Sequence, residues 1–376
     1  MSGIYIHIPF CKQACYYCDF HFSTNLKLKT DLVQAIVKEL EMQQYYLGNP
    51  SQLKTLYFGG GTPSLLSKEE LQQIMEAVEQ YYDCSMLEEI TLEANPDDLN
   101  ASKLQDLAEV GINRLSIGIQ SFHDPFLKMM HRAHNAQEAD TCVKLAQDAG
   151  IENISIDLIY GIPADTHQYW EEDLQKAMAL KVPHISSYCL TIEEKTVLGN
   201  WTKKGRFKPA EDEFSATQFE RLLEVMKENG YEHYEISNFA QPGMYSKHNT
   251  AYWQQKKYLG IGPAAHSYNG QSRQYNIANN SKYTQQIHQG IIPAEREQLT
   301  VKDQVNEYLL TTLRTMWGSD MAYIKNTYQV DIPKQFQAVL KDMEQKGWIR
   351  WKGSLLQLTE NGKLMADMVS ENLFLL

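Results

Sequence analysis

The chain has 376 residues, 43% hydrophobic and 22% charged, enough for one large and one small domain around a sizeable core. Its 47 acidic against 35 basic residues leave a net charge of −12, which disfavours nucleic-acid binding, since that depends on Lys and Arg neutralising phosphates. No apolar run reaches the ~20 residues of a membrane-spanning helix, and Met1–Pro9 has no basic stretch leading into an apolar one; a cytoplasmic location without a transmembrane segment is expected.

Taken in chain order, Ile4, Ile6 and Ile8 alternate with Tyr5 and His7, which predicts a strand ending at Pro9. Leu32, Val33, Ile36, Val37 and Leu40 follow at helical spacing. A second strand is predicted over 53–58, then a helix opened by the capping pair Ser67 and Glu70 and burying Leu71, Ile74, Met75 and Val78. Strands over 89–94, 114–119, 154–160 and 184–190 alternate with helices, one stopping near Gly111 and the next near Gly150. Six strand–helix units joined by short loops predict a parallel sheet with helices outside it. Because six is fewer than eight, the expected architecture is α/β, an open partial βα barrel.

Beyond residue 190 the rhythm changes. Residues 191–212 read as a loop, 213–229 as a helix and 231–237 as a strand, whereas 238–295 are rich in Asn, Gly, Gln and Tyr without a clear period. Helical stretches around 301–316 and 333–346 precede an alternating hairpin over 348–358 and a closing helix, a small winged-helix-like α+β domain. The division expected is 1–237 for the barrel, 238–295 for a connecting segment and 296–376 for the C-terminal domain. As a DNA reader that last domain is poorly equipped, its hairpin offering only Arg350 and Lys352.

Three of the six cysteines, Cys11, Cys15 and Cys18, cluster in the loop after the first strand, while Cys84, Cys142 and Cys189 are scattered. Such tight spacing in a cytoplasmic chain points to metal and not to disulfides; the scattered three read as small buried hydrophobes. Zinc sites need four ligands, and no second Cys or His pair follows at finger spacing. A 4Fe–4S cube that only carries electrons takes four cysteines, so three thiolates leave one iron for a substrate. Gly59, Gly60 and Gly61, followed by Thr62 and Pro63, end strand two, where a backbone free of side chains can approach a ligand. Glu93, Gln120 and Asp157 lie at or near the ends of later strands and Arg132 in the next helix. A carboxylate such as Asp157 on an apolar inward-facing strand calls for a partner or a ligand.

Cys-x3-Cys-x2-Cys after the first strand of a partial βα barrel resembles the radical S-adenosylmethionine superfamily. That resemblance implies a 4Fe–4S cluster on Cys11, Cys15 and Cys18, with the amine and carboxylate of S-adenosylmethionine on the open iron. One electron from the cluster then splits the S–C5′ bond to give a 5′-deoxyadenosyl radical, with Tyr16 and Tyr17 available to shield the cluster. The motifs Tyr5–Cys11, Gly59–Pro63, Gly118–Phe122 and Asp157–Pro163 are together similar to the oxygen-independent coproporphyrinogen III oxidase group. By that resemblance Tyr5, Gly60, Gly61, Thr62, Glu93, Gln120, Arg132 and Asp157 contact the cofactor.

Within the group, the resemblance favours heme chaperones of the HemW type. The oxidases carry a further cysteine where this chain has Phe20, and an N-terminal extension before the first strand; His248-Asn-Thr-Ala-Tyr-Trp253 matches a chaperone motif. A histidine beside Tyr and Trp suits an axial heme ligand flanked by stacking rings, and His248 is the candidate. The glycine-rich stretch ending at His266 is a second one, its glycines suggesting close backbone approach to cofactor or heme. The implied activity is heme binding and delivery to respiratory heme proteins, peripherally at the inner face of the membrane, with a flavodoxin or ferredoxin as electron donor and without oxidase activity. The alternative is an oxidase that converts two propionates of coproporphyrinogen III to vinyl groups.

Overall fold

The computed structural model describes residues 2–48 and 52–376. All six expected strands form: β1 (Ser2–Ile8), β2 (Leu53–Gly60), β3 (Glu89–Ala94), β4 (Arg114–Gln120), β5 (Ile154–Tyr160) and β6 (His184–Cys189). They pair in parallel in sequence order. Helices between them bury one apolar face each; Lys68–Tyr81 begins at Ser67, whose hydroxyl and Glu70 carboxylate cap each other's backbone amides.

The sheet continues on both flanks, with β7 falling inside the strand expected over 231–237 and the others not announced by the hydrophobic pattern. β7 (Glu232–Glu235) and β8 (Asn238–Ala240) add antiparallel beyond β6. On the other side β9 (Tyr258–Ile261) lies parallel to β1, a seventh parallel strand, with β10 (His266–Tyr268), β11 (Ser272–Asn276) and β12 (Ala294–Gln298) antiparallel outside it. The order β12-β11-β10-β9-β1-β2-β3-β4-β5-β6-β8-β7 is open at both ends, the partial barrel expected. Strands β8–β11 thus come from the stretch 238–295, and β12 runs past its expected end to Gln298. The expected loop over 191–212 contains a short helix, Val197–Lys203, started by the Thr196 side chain; seven residues are too few for periodicity to show.

The main hydrophobic core runs from Ile4 to Ile287. A separate one, from Val305 to Leu373, holds the C-terminal helices Val301–Leu313, Met321–Tyr328 and Gln337–Gln345 against a three-stranded antiparallel sheet of β13 (Ser319–Asp320), β15 (Leu355–Leu358) and β14 (Ile349–Lys352). This is the small α+β unit the hairpin predicts. Among the described residues no helix is long and apolar enough to cross a membrane.

Candidate functional site

The three cysteines of the loop after β1 are free and half-buried, as are Cys84 and Cys189; Cys142 is free and buried. The turn at 130–132 pins this loop. The Tyr16 amide donates to the Met130 carbonyl at 3.1 Å, Gln13 Nε2 to the His131 carbonyl at 2.9 Å, and His131 Nδ1 meets the Ala14 carbonyl at 2.8 Å. Arg132 completes the join, with Nη1 donating to Cys15 Sγ and to Tyr17 Oη at 3.3 Å each. Its Nη2 donates to Asn95 Oδ1 at 2.7 Å and to the Gly118 carbonyl at 2.8 Å. One guanidinium therefore ties the cysteine loop to the ends of β3 and β4, a use of its planar fork that lysine cannot copy.

Burial raises the Cys11 thiol, against a hydrogen bond from Thr62, and raises Cys18 to about 11. Cys15 contributes to raising both thiols, so the three sulfurs share one environment. Among the described residues no group of three His, Cys, Asp or Glu converges to chelate a single metal ion. Three free thiols in one loop that influence one another are the donor type a 4Fe–4S cube takes, and in that sense the loop fits the cluster.

At the end of β2 the chain turns through Gly59–Thr62. A Cβ on Gly60, which sits at φ +111°, would lie 2.5 Å from the His7 ring, and one on Gly61 2.7 Å from the Phe10 carbonyl; the turn packs against β1 with no room for side chains. The Gly61 amide donates to the Ile8 carbonyl at 2.9 Å and the Thr62 amide to the Phe10 carbonyl at 2.7 Å. Glu93 grips the same turn, Oε2 accepting from the Gly60 amide at 3.0 Å and Oε1 from the Tyr57 hydroxyl at 2.8 Å. Burial raises Glu93 to about 7, helped by Asp157 and opposed by those donors. Asp157 is likewise raised by burial, to about 6, opposed by hydrogen bonds from Ser186 and Ser116, the latter at 3.5 Å.

Tyr5 stacks on Tyr57, ring centroids 5.9 Å apart, with its hydroxyl 3.2 Å from His7 Nδ1. Gln120 ends β4 at φ +68°, and its side-chain amide lies near Arg132, since a Cβ on Gly118 would be 2.9 Å from Gln120 Nε2 and 3.1 Å from Arg132 Nη2. Cys11, Cys15, Cys18, Tyr5, Gly60, Gly61, Thr62, Glu93, Gln120, Arg132 and Asp157 thus belong to one constellation over the C-terminal ends of β1–β5. Of the loop tyrosines, Tyr16 stacks on His131 at 4.4 Å and Tyr17 packs toward Leu127 and Ile159. Sequence reasoning missed Asn95 and Tyr57, which hold Arg132 and Glu93. Asn95 directly follows a strand end, a signal in plain view; Tyr57 looks like any strand aromatic.

His248 lies behind this constellation, its ring stacked on Tyr57 at 5.0 Å and 6.5 Å from that of Tyr5. The helix Lys247–Trp253 is held at its start by Glu89, whose carboxylate accepts from the Lys247 and His248 amides at 2.9 Å each. The ring is buried beside Gly3 and Thr55, near the N-terminal ends of β1 and β2. Thr55 Oγ1 lies 2.8 Å from Nδ1 and the Tyr252 hydroxyl 2.7 Å from Nε2, so both ring nitrogens are engaged. Burial, with Arg114 nearby, lowers this histidine to about 3. The glycines before His266 do approach backbone closely, but the backbone is the chain's own: a Cβ on Gly260 would overlap the His266 carbonyl, and one on Gly262 would lie 2.5 Å from the His7 carbonyl.

A cavity of about 550 Å³ opens between β1, the cysteine loop and β9–β11, closed on one side by the helix Val301–Leu313. Tyrosines, Trp253, Phe20 and the imidazoles of His7, His21 and His266 line it, a size and lining ordinary for an organic ligand.

Residues 5–177 match the family model described as the radical SAM superfamily, and 299–365 the one described as the HemN C-terminal domain. A Bacillus subtilis protein named heme chaperone HemW is 37% identical, covering 98% of both chains. An Escherichia coli protein of the same name is 32% identical over 98% of this chain and 97% of its own. The solved coproporphyrinogen III oxidase (HemN) of Escherichia coli superposes with a TM-score of 0.85 at 20% identity, over 99% of this chain and 90% of the other, a likeness of fold. With full-length relatives at this identity, the chain belongs to the radical SAM superfamily and, within it, to the HemW family.

Proposed function

We propose that this protein is a heme chaperone: it carries a 4Fe–4S cluster on Cys11, Cys15 and Cys18, binds S-adenosylmethionine beside it, and takes up heme for delivery to respiratory heme proteins. The observation that carries the reading is a roomy aromatic cavity with three imidazoles directly against the cysteine loop, in a chain whose full-length relatives are named heme chaperones.

A reduced cluster with one open iron supplies single-electron chemistry to a bound sulfonium. The chain's own groups fit the rest of that cofactor. The Gly59–Thr62 turn exposes backbone where a side chain would clash, and Glu93 is positioned to receive the methionine amine. Arg132 and Gln120 offer donors to its carboxylate, Arg132 Nε being a buried N–H without a partner among the described residues. Asp157 serves a ribose hydroxyl, and Tyr5 walls the site. An electron donor of the flavodoxin or ferredoxin kind reduces the cluster, and the protein works in the cytoplasm, meeting its recipients at the inner face of the membrane.

The test is anaerobic reconstitution of the cluster followed by two assays. Hemin titration should produce a saturable Soret band, and coproporphyrinogen III should remain unconverted. Turnover of coproporphyrinogen III at an enzyme's rate would replace this reading with the oxidase.

A further inference from the structure

We propose that heme occupies the cavity between β1, the cysteine loop and β9–β11, with His266 presented to the iron and Arg273 to a propionate. His248 then acts as a positioning residue for the cavity wall and not as an iron ligand. This rests on the heme-binding reading above and assigns its site.

Imidazole ligates iron through a nitrogen lone pair that is not already hydrogen-bonded. Of the three imidazoles lining the cavity, His7 lies between the Tyr5 hydroxyl and the His21 carbonyl, at 3.2 and 3.0 Å. His21 Nε2 donates to Asn280 Oδ1 at 2.7 Å, which leaves its Nδ1 lone pair open and makes it the rival ligand, to be separated from His266 by the same titration of His21→Ala. His266 is exposed in the cavity wall, and among the described residues neither of its ring nitrogens has a partner. The close β9–β10 reversal that a side chain at Gly260 would block presents it there.

Strand register supplies the second group. His266 and Tyr268 share one face of β10, and Arg273 stands opposite Tyr268 on β11, so the backbone of Arg273 is offset from that of His266 by two residues, about 7 Å along the strand. That separation suits the span from the centre of a porphyrin to a propionate. Arg273 Nη2 holds Glu307 at 3.0 Å, while its buried Nε has no partner among the described residues, an open donor in a charged fork made for carboxylates. Tyr258 and Tyr268 offer rings to the macrocycle, and Phe20, 69% exposed, stands among the lining residues of the cavity.

The same geometry gives His248 a role that does not touch iron. Its Nε2 partner, Tyr252, and the next residue, Trp253, both line the cavity. The ring thus fixes the register of the wall against Thr55.

The experiment is hemin titration of the full-length, cluster-loaded protein, followed by Soret position, magnetic circular dichroism and Kd. His266→Ala should weaken binding by roughly 10–100-fold and lose the nitrogen-ligand signature, which added imidazole should restore. His248→Gln, which keeps a donor and an acceptor for Thr55 and Tyr252, should keep the wild-type signature. Thr311→Trp, on the helix face closing the cavity, should block heme while leaving the cluster's electron paramagnetic response to S-adenosylmethionine unchanged. A wild-type ligand signature in His266→Ala, loss of it in His248→Gln with rescue by imidazole, or unaltered heme binding in Thr311→Trp would each overturn the assignment. Absence of heme binding by the wild-type protein would instead overturn the chaperone reading itself.

Discussion

Arg132 Nη1 lies 3.3 Å from Cys15 Sγ, and the same guanidinium reaches Asn95 and Gly118 through Nη2. A single side chain more than a hundred residues away in sequence thus joins the cysteine loop to two strand ends. Removing it leaves Asn95 Oδ1 and the Gly118 carbonyl unpaired near the sheet, each costing about 1–3 kcal/mol. Arg132→Ala should therefore lower stability by about 3 kcal/mol and halve iron and sulfide incorporation, or worse. Arg132→Lys should recover charge but not the fork, and stay intermediate. Chemical denaturation and iron counts after anaerobic reconstitution decide it; full cluster content in Arg132→Ala would remove the residue from the site's scaffold.

Glu93 makes the site sensitive to pH. Its carboxyl is raised from 4.5 to about 7, first by burial, so between those values the folded protein holds a proton that the unfolded chain has released. Stability of the cofactor-free protein should then fall as pH rises from about 4.5 to 7 and flatten above, by at most ~3 kcal/mol. Glu93→Gln should remove the Glu93 share of that slope and leave the part due to Asp157, which burial also raises. A methionine amine favours the ionised form, so wild-type affinity for S-adenosylmethionine should rise with pH toward 8, a rise Glu93→Gln lacks. Urea midpoints and equilibrium dialysis at pH 5, 6, 7 and 8 measure both.

Gly60→Ala should be one of the more damaging small substitutions in the chain. The residue adopts φ +111°, and its Cβ would fall 2.5 Å from the His7 ring. Strain and clash together predict a loss of about 2–4 kcal/mol and no detectable binding of S-adenosylmethionine. Gly150→Ala, also at positive φ but with open space around its Cβ, should cost about 1 kcal/mol and leave cofactor binding intact. Comparing the two by thermal melts and cofactor titration separates backbone strain from crowding.

Glu39 anchors the edge of the barrel. Fully buried in the helix Lys29–Met42, it accepts hydrogen bonds from the Tyr283 hydroxyl at 2.6 Å, Asn276 Nδ2 at 2.7 Å and the Gly262 amide at 2.8 Å. Burial raises its carboxyl above the ordinary value while these donors oppose the rise. Glu39→Ala should cost about 3–5 kcal/mol and release β9–β11 first. Hydrogen exchange in 258–276 should accelerate well before that in 89–120; uniform acceleration would argue against a local anchor.

The parallel sheet was legible because alternating strands and 3.6-period helices follow from burial on one face of each element, as Ile4, Ile6 and Ile8 illustrate. The added flanks were not. β9 holds only Leu259 and Ile261 as fully buried aliphatics, too short a pattern to separate from a loop, and β12 is almost wholly exposed. That the proposed cofactor residues gather at one end of the sheet was readable from their places at or near strand ends, where βα architecture brings side chains together. Tyr57 was not, because it acts only through Glu93, a neighbour brought in by the fold.

By itself, the spacing of Cys11, Cys15 and Cys18 points to metal chemistry after the first strand, since three thiols within eight residues have few other uses. Whether a histidine has a free lone pair is a different kind of fact. His248 and His266 look equally available in the sequence; Thr55 and Tyr252, from distant and near positions, close both nitrogens of one, while a tight reversal at Gly260 leaves the other facing the cavity. Hydrogen-bond partners are assigned by packing across the barrel, and only the tertiary structure decides which imidazole remains open.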